Sequence, residues 1–88
     1  MKPTIGRIVH VVLRDLTGGV IIRPGIVVRT WENADAPIHI NAQVFMDGDG
    51  RTANDGLPNC VWKTSLIHDE NIASPTPHTW HWPPRAES

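Results

Sequence analysis

From residue 38 to residue 46 the side chains alternate without a break. Ile38, Ile40, Ala42, Val44 and Met46 share one parity, and His39, Asn41, Gln43 and Phe45 share the other. Successive side chains of an extended chain point to opposite faces, so this segment reads as a strand with one buried face and one mainly polar face. No window of the sequence offers the competing helical spacing, and glycine, proline and β-branched residues recur throughout. The rest of the chain is therefore read as strands and turns. Residues 6–13 (GRIVHVVL) make a first strand, followed by a glycine turn at Gly18-Gly19. Residues 20–31 (VIIRPGIVVRTW) make a second, expected to break or bulge at Pro24-Gly25 because proline cannot donate to a ladder. Residues 60–67 make a fourth, with Cys60, Trp62 and Leu66 set against Lys63 and Ser65. A short last strand is expected in residues 78–82 (HTWHW), before Pro83-Pro84 stops it. The loops are residues 32–37, 47–59 and the polar, proline-broken stretch 68–77, and residues 83–88 are expected to be flexible. The expected fold is all-β: a small SH3-like barrel or open β roll of four to five short strands, in one domain spanning residues 1–88.

Size and charge narrow the partners. A domain of 88 residues buries only about two-thirds of the surface its unfolded chain exposes, so a homo-oligomer is a reasonable expectation. The longest apolar runs are too short to cross a bilayer, and the N-terminus lacks the order of a signal peptide. One cysteine, Cys60, excludes an internal disulfide, and its apolar neighbourhood suggests a buried, inert thiol. These features place the chain in a cytoplasm, away from membranes. The net charge is −1, unevenly spread. Residues 1–31 carry Lys2, Arg7, Arg14, Arg23 and Arg29 against Asp15, a net of +4. Residues 32–88 carry Arg51, Lys63 and Arg85 against eight acids, a net of −5. Bulk duplex nucleic acid, which needs many unopposed cations, does not fit; a local anion site in the first third does.

Several motifs together resemble a family of short tailed-phage proteins: GRIVH, RPGIVVRTW, NAQVFMDG, NDGLPNCVWKTS, HDE and the late TWHWP. The resemblance runs from Gly6 to about Pro83 and implies a viral origin, hence a host cytoplasm, without implying a mechanism. A shorter likeness covers residues 6–28. The GRIVHVVL strand, glycine turn and RPGIVV strand are similar to the opening of MazF/PemK-type toxin endoribonucleases, which are built on an SH3-like barrel. This likeness encodes strand-turn-strand geometry and implies fold more than function.

The residues that carry chemistry are few. There are four tryptophans, no tyrosine and one phenylalanine. Trp80 and Trp82 share parity and could line one surface for stacking, whereas Trp62 is the tryptophan best suited to fill a core. Arg23, Arg29 and Trp31 also share parity if the second strand keeps its register, which would set guanidinium groups beside an indole plane. The loop DGDGRTANDG offers Asn54 and Asp55 as hydrogen-bonding arms. It fails the EF-hand pattern, since Arg51, Thr52 and Pro58 stand where a ligand, a glycine and a glutamate belong. His78 and His81 on a strand would face opposite ways and are poorly set to share zinc. His68, Asp69 and Glu70 form a polar cluster at a strand end, and Cys60 has no protease-like signature around it. Phosphate-loop, dinucleotide and nucleophile-elbow motifs are lacking.

The expectation is therefore a non-enzymatic phage accessory protein that needs no cofactor or metal. It would bind and sequester a small anionic or nucleotide-like ligand, for instance a host immune signal, through Arg23, Arg29, Trp31, Asn54, Asp55, Trp80 and Trp82. The alternatives are a virion or assembly component, in which the tryptophans serve core and interface, and an RNA-binding or RNA-cleaving barrel.

Overall fold

Five strands follow one another in chain order: β1 (Ile8–Arg14), β2 (Val20–Trp31), β3 (His39–Phe45), β4 (Cys60–His68) and β5 (Thr79–His81). The computed structural model describes residues 3–14, 18–31, 38–46 and 60–84. The strands pair as neighbours and close on themselves, β5 returning to β1, so the fold is a closed five-stranded barrel of the small SH3-like kind and not an open roll. β1–β2, β2–β3 and β3–β4 are antiparallel. The last strand is antiparallel to β1 through three residue pairs and parallel to β4 through two.

The alternation on β3 sets the interior. Ile40, Ala42 and Val44 are fully buried, and they pack with Val9, Val11, Leu13, Val27, Leu66 and Trp80 in one core. Ile38 and Met46, at the two ends of the same row, pack against that core from its edges. The sequence assignment of this face holds for all five residues.

Two bulges decide which side chains face out elsewhere. The first lies on β2, but not at Pro24-Gly25. Pro24 pairs with His10 without a break in register. The Val27 N–H points at β1, where it donates to the Arg7 carbonyl, so by alternation Pro24's missing donor faces β3. Pairing to β3 starts only at Gly25, and no ladder bond is lost. The register shifts instead between Val27 and Arg29, where Val28 is the extra residue. Parity inverts there. Arg23 lies on the parity of the buried Gly25 and Val27, whereas Arg29 and Trp31 sit on the outer wall, so the expected common face of all three does not form.

The second bulge lies on β4. Ile40 pairs with Leu66 and Ala42 with Lys63, leaving Thr64 and Ser65 to share the position opposite Asn41. Ser65 takes φ 57°, the left-handed region, which is uncommon for a residue with a side chain. The Asn41 carboxamide oxygen holds it there, accepting from the Ser65 N–H at 3.0 Å and the Thr64 hydroxyl at 2.9 Å. From the other side the His78 Nε2–H donates to the Thr64 carbonyl at 2.9 Å. The bulge turns the first half of β4 over relative to expectation. Cys60 and Trp62 are exposed and Val61 and Lys63 half-buried, with Leu66 alone of the expected inward set reaching the core. Cys60 is therefore not a buried thiol; its Sγ lies 3.4 Å from the Gln43 carboxamide oxygen on the outer wall.

The clamp is testable. Asn41→Leu keeps the branched shape of the side chain but strips the Ser65 N–H and the Thr64 hydroxyl of their part-buried acceptor, which should cost about 1 kcal/mol or more. The denaturation midpoint should fall with an unchanged slope; a variant as stable as wild type would mean the bulge is held by something else.

Candidate functional site

A groove of about 570 Å³ opens on the barrel surface, lined by Gly6, Arg7, Ile8, Trp82 and Pro83. Closure of the barrel creates it. His10 faces His81 across the β1–β5 seam, so continuing that antiparallel register carries the residues after His81 alongside those before His10. The entry to β1 is a tight turn, in which the Arg7 N–H donates to the Thr4 carbonyl at 3.0 Å. Gly6 occupies the third position of the turn at φ +94°, where a type II turn demands a positive φ. The turn is tied to the wall by the Gly6 N–H, which donates to the Val27 carbonyl at 2.8 Å. Arg7 is exposed, and among the described residues its guanidinium has no ion-pair or hydrogen-bond partner.

Trp82 is fixed from behind. Its ring meets Trp80 edge to face, centroids 5.4 Å apart at 87°, and its backbone N–H donates to Glu70 Oε2 at 2.9 Å. The two tryptophans share a face as their parity suggested, but that face is the core. Trp80 is 0% exposed, donates its indole N–H to the Ile38 carbonyl at 3.1 Å, and stacks on His68 at 4.3 Å. Its ring cannot receive a ligand; it supports Trp82, which stays half-buried and lines the groove. Core-filling thus falls to Trp80, not to Trp62.

Glu70 gathers the polar cluster behind the groove. The His68 Nε2–H donates to the same Oε2 at 2.7 Å. Burial alone would raise the Glu70 carboxyl, but the Trp82 N–H, the His68 hydrogen bond and the charges of His68 and His81 hold it below 4.5. His81 is almost fully buried against the edge of His10, rings 5.5 Å apart. Burial, and then the neighbouring His10, push its imidazole below 6.5, against the opposing pull of Glu70 and Asp69. Among the described residues no three His, Cys, Asp or Glu side chains converge as metal ligands.

The remaining sequence-predicted residues lie elsewhere. Arg29 places its guanidinium 5.5 Å from the Trp31 ring centroid, and Trp31 stacks on His39 at 5.8 Å and 14°. This is the expected pairing of cation and indole plane, but it sits on the outer wall of β2 and β3. Arg23 donates to the neighbouring Ile22 carbonyl. Asn54 and Asp55 lie outside the described residues. Sequence reasoning missed Arg7, Gly6 and Pro83, because what joins them to Trp82 is the closing seam, and a three-residue strand carries too short a pattern to reveal its partner.

Compared with known protein families, with curated proteins and with solved structures, the chain matches none.

The shifted imidazole makes stability depend on pH. Folded His81 binds its proton less readily than the unfolded chain does, so unfolding takes up a proton. The stabilisation is fully present above about 6.5 and is lost as pH falls through the folded value. Glu70, held below 4.5, adds a second loss under more acid conditions. Thermal unfolding from neutral pH downward should show the first decline, and His81→Leu should flatten it. An identical decline in that variant would assign the effect to another group.

Proposed function

We propose that this barrel is a non-enzymatic phage accessory protein that captures a small anionic, nucleotide-like ligand in the groove between Arg7 and Trp82, acting as a sponge in the host cytoplasm. The observation that carries the reading is one concave surface lined by a cation without a described partner and a tryptophan braced by a second tryptophan. An arginine fork suits a phosphate or carboxylate, and an indole face suits a planar ring. Ile8 and Pro83 add apolar walls, and the volume falls within the usual range for small-molecule sites, about 300–1,000 Å³. Binding rather than turnover is favoured because the nearest acid–base pair, His68 and Glu70, is engaged structurally: Glu70 tethers the Trp82 backbone and His68 stacks on Trp80. The viral origin rests on the sequence resemblance, and a host immune signal nucleotide is one ligand with this chemistry.

Calorimetry against mono-, di- and cyclic nucleotides tests the reading. At least one should bind wild type, and Arg7→Ala should weaken it by roughly thirtyfold, as loss of a charge-assisted contact worth about 2 kcal/mol implies. Trp82→Leu should weaken it comparably, while Arg29→Ala leaves it unchanged. Loss on Arg29→Ala with Arg7→Ala silent would move the site to the outer wall, and no binding across the panel would sink the proposal.

A further inference from the structure

The groove straddles the seam that closes the barrel, and its two poles reach it from opposite sides. Arg7 leads into β1 and Trp82 follows β5, and the residue pair nearest to both is His10 with His81. The chain is not held equally along this stretch. Trp80 is the fixed point: its ring lies in the core, its indole N–H donates to the Ile38 carbonyl, and its own carbonyl accepts from the Asp69 N–H at 2.9 Å. Pairing to β4 ends there, at His68 with Trp80. Beyond it His81 pairs with β1 alone. Trp82 is kept in place by its edge contact to Trp80 and by the bond from its backbone N–H to Glu70. His81 alternates to the face opposite the two tryptophans, where it is only 2% exposed. Among the described residues its imidazole has no hydrogen-bond partner. The titratable groups around it are His10 on β1, His68 at the end of β4, and Asp69 and Glu70 just after it.

We propose that His81 is a proton-operated latch on the groove: on taking up a proton from solvent it leaves the seam and carries Trp82 away from Arg7. Its consequence for capture, release of the ligand in mild acid, rests on the function proposed for the groove. A buried imidazolium without an acceptor is costly, and a second imidazole beside it adds to the cost. Asp69 and Glu70 attract the cation, but burial and His10 outweigh them. Nor can Glu70 turn to His81 without effect. The same oxygen holds the Trp82 N–H and His68, so a carboxylate that swung to His81 would let go of Trp82. Both routes free the tryptophan. The hinge lies between Trp80 and His81, because the chain up to Trp80 is anchored in the core. The pairs of Val11 with Trp80 and Val12 with Thr79 keep the barrel closed while the end of β5 lifts. Conversely, a ligand touching both Arg7 and Trp82 bridges the seam and holds His81 in it, so ligand and proton oppose each other by linkage.

Nuclear magnetic resonance of the ligand-free chain reads the latch, from about pH 8 down to about pH 5, across the ordinary histidine range. The Trp82 indole and amide signals should move with the same midpoint as the His81 imidazole, below 6.5, while the methyl signals of Val9 and Leu66 in the core stay in place. In His81→Phe, which keeps a ring that cannot titrate, the Trp82 signals should not follow pH over this range. In His10→Gln, which removes the competing imidazole, the midpoint should rise. Trp82 signals that stand still while His81 titrates overturn the proposal. So does movement that survives in His81→Phe, which would assign it to His68 or Glu70, or a midpoint that His10→Gln leaves unmoved. Core methyl signals that shift together with Trp82 also overturn it, as acid unfolding of the whole barrel. The ligand-free signals decide the latch and the nucleotide panel decides capture, so either can fail alone.

Discussion

Everything in this barrel depends on how its last three-residue strand is held. β5 contributes only five residue pairs to the seam, three to β1 and two to β4, too few for backbone pairing to close a barrel on its own. Trp80 supplies the rest. From the middle of β5 its ring enters the core, its indole N–H reaches the carbonyl before β3, and its flat face lies on His68 of β4. One side chain thereby reinforces the pairing to β4 and adds a tie to the entry of β3, with which β5 does not pair. Burying an indole contributes more per residue than any other single choice available to so small a domain.

The groove inherits its shape from that closure. Trp82 emerges two residues later, leaning on Trp80 and tethered to Glu70, at the place where the antiparallel register brings Arg7 back. The same seam buries His81 beside His10, so the closing strand is also where stability is sensitive to acid. Fold, site and pH response are consequences of a single docking event. The outer wall is separate: it is produced by the two bulges, which turn Arg29, Trp31 and Trp62 outward.

The number, order and approximate limits of the strands were legible because each is a run of β-branched or alternating residues bounded by glycine, proline or polar loops. The inward face of β3 was legible for the same reason. The errors trace to parity. A bulge at Val28 and another at Thr64-Ser65 use residues common in strands, so nothing in the composition marks them, while Pro24, which seemed to, sits at the end of a ladder and is harmless. One extra residue inverts every side chain beyond it. That is why Trp62 was expected inside and why Arg23 was grouped with Arg29; on β5 the shared parity of Trp80 and Trp82 was read correctly, but a three-residue strand does not say which of its faces is the core. Arg7 escaped notice because its relation to Trp82 spans the whole chain and is created by closure, which no local pattern encodes.

The central claim is that an anion with a planar ring is received between Arg7 and Trp82. Indole and amide resonances report this directly, since four tryptophans give four separate indole signals. On titration with a binding nucleotide, the Trp82 indole and the Gly6 and Arg7 amides should shift together, while the indoles of Trp31 and Trp62 stay in place. Shifts centred on Trp31 and Arg29, with Trp82 unmoved, would contradict the account.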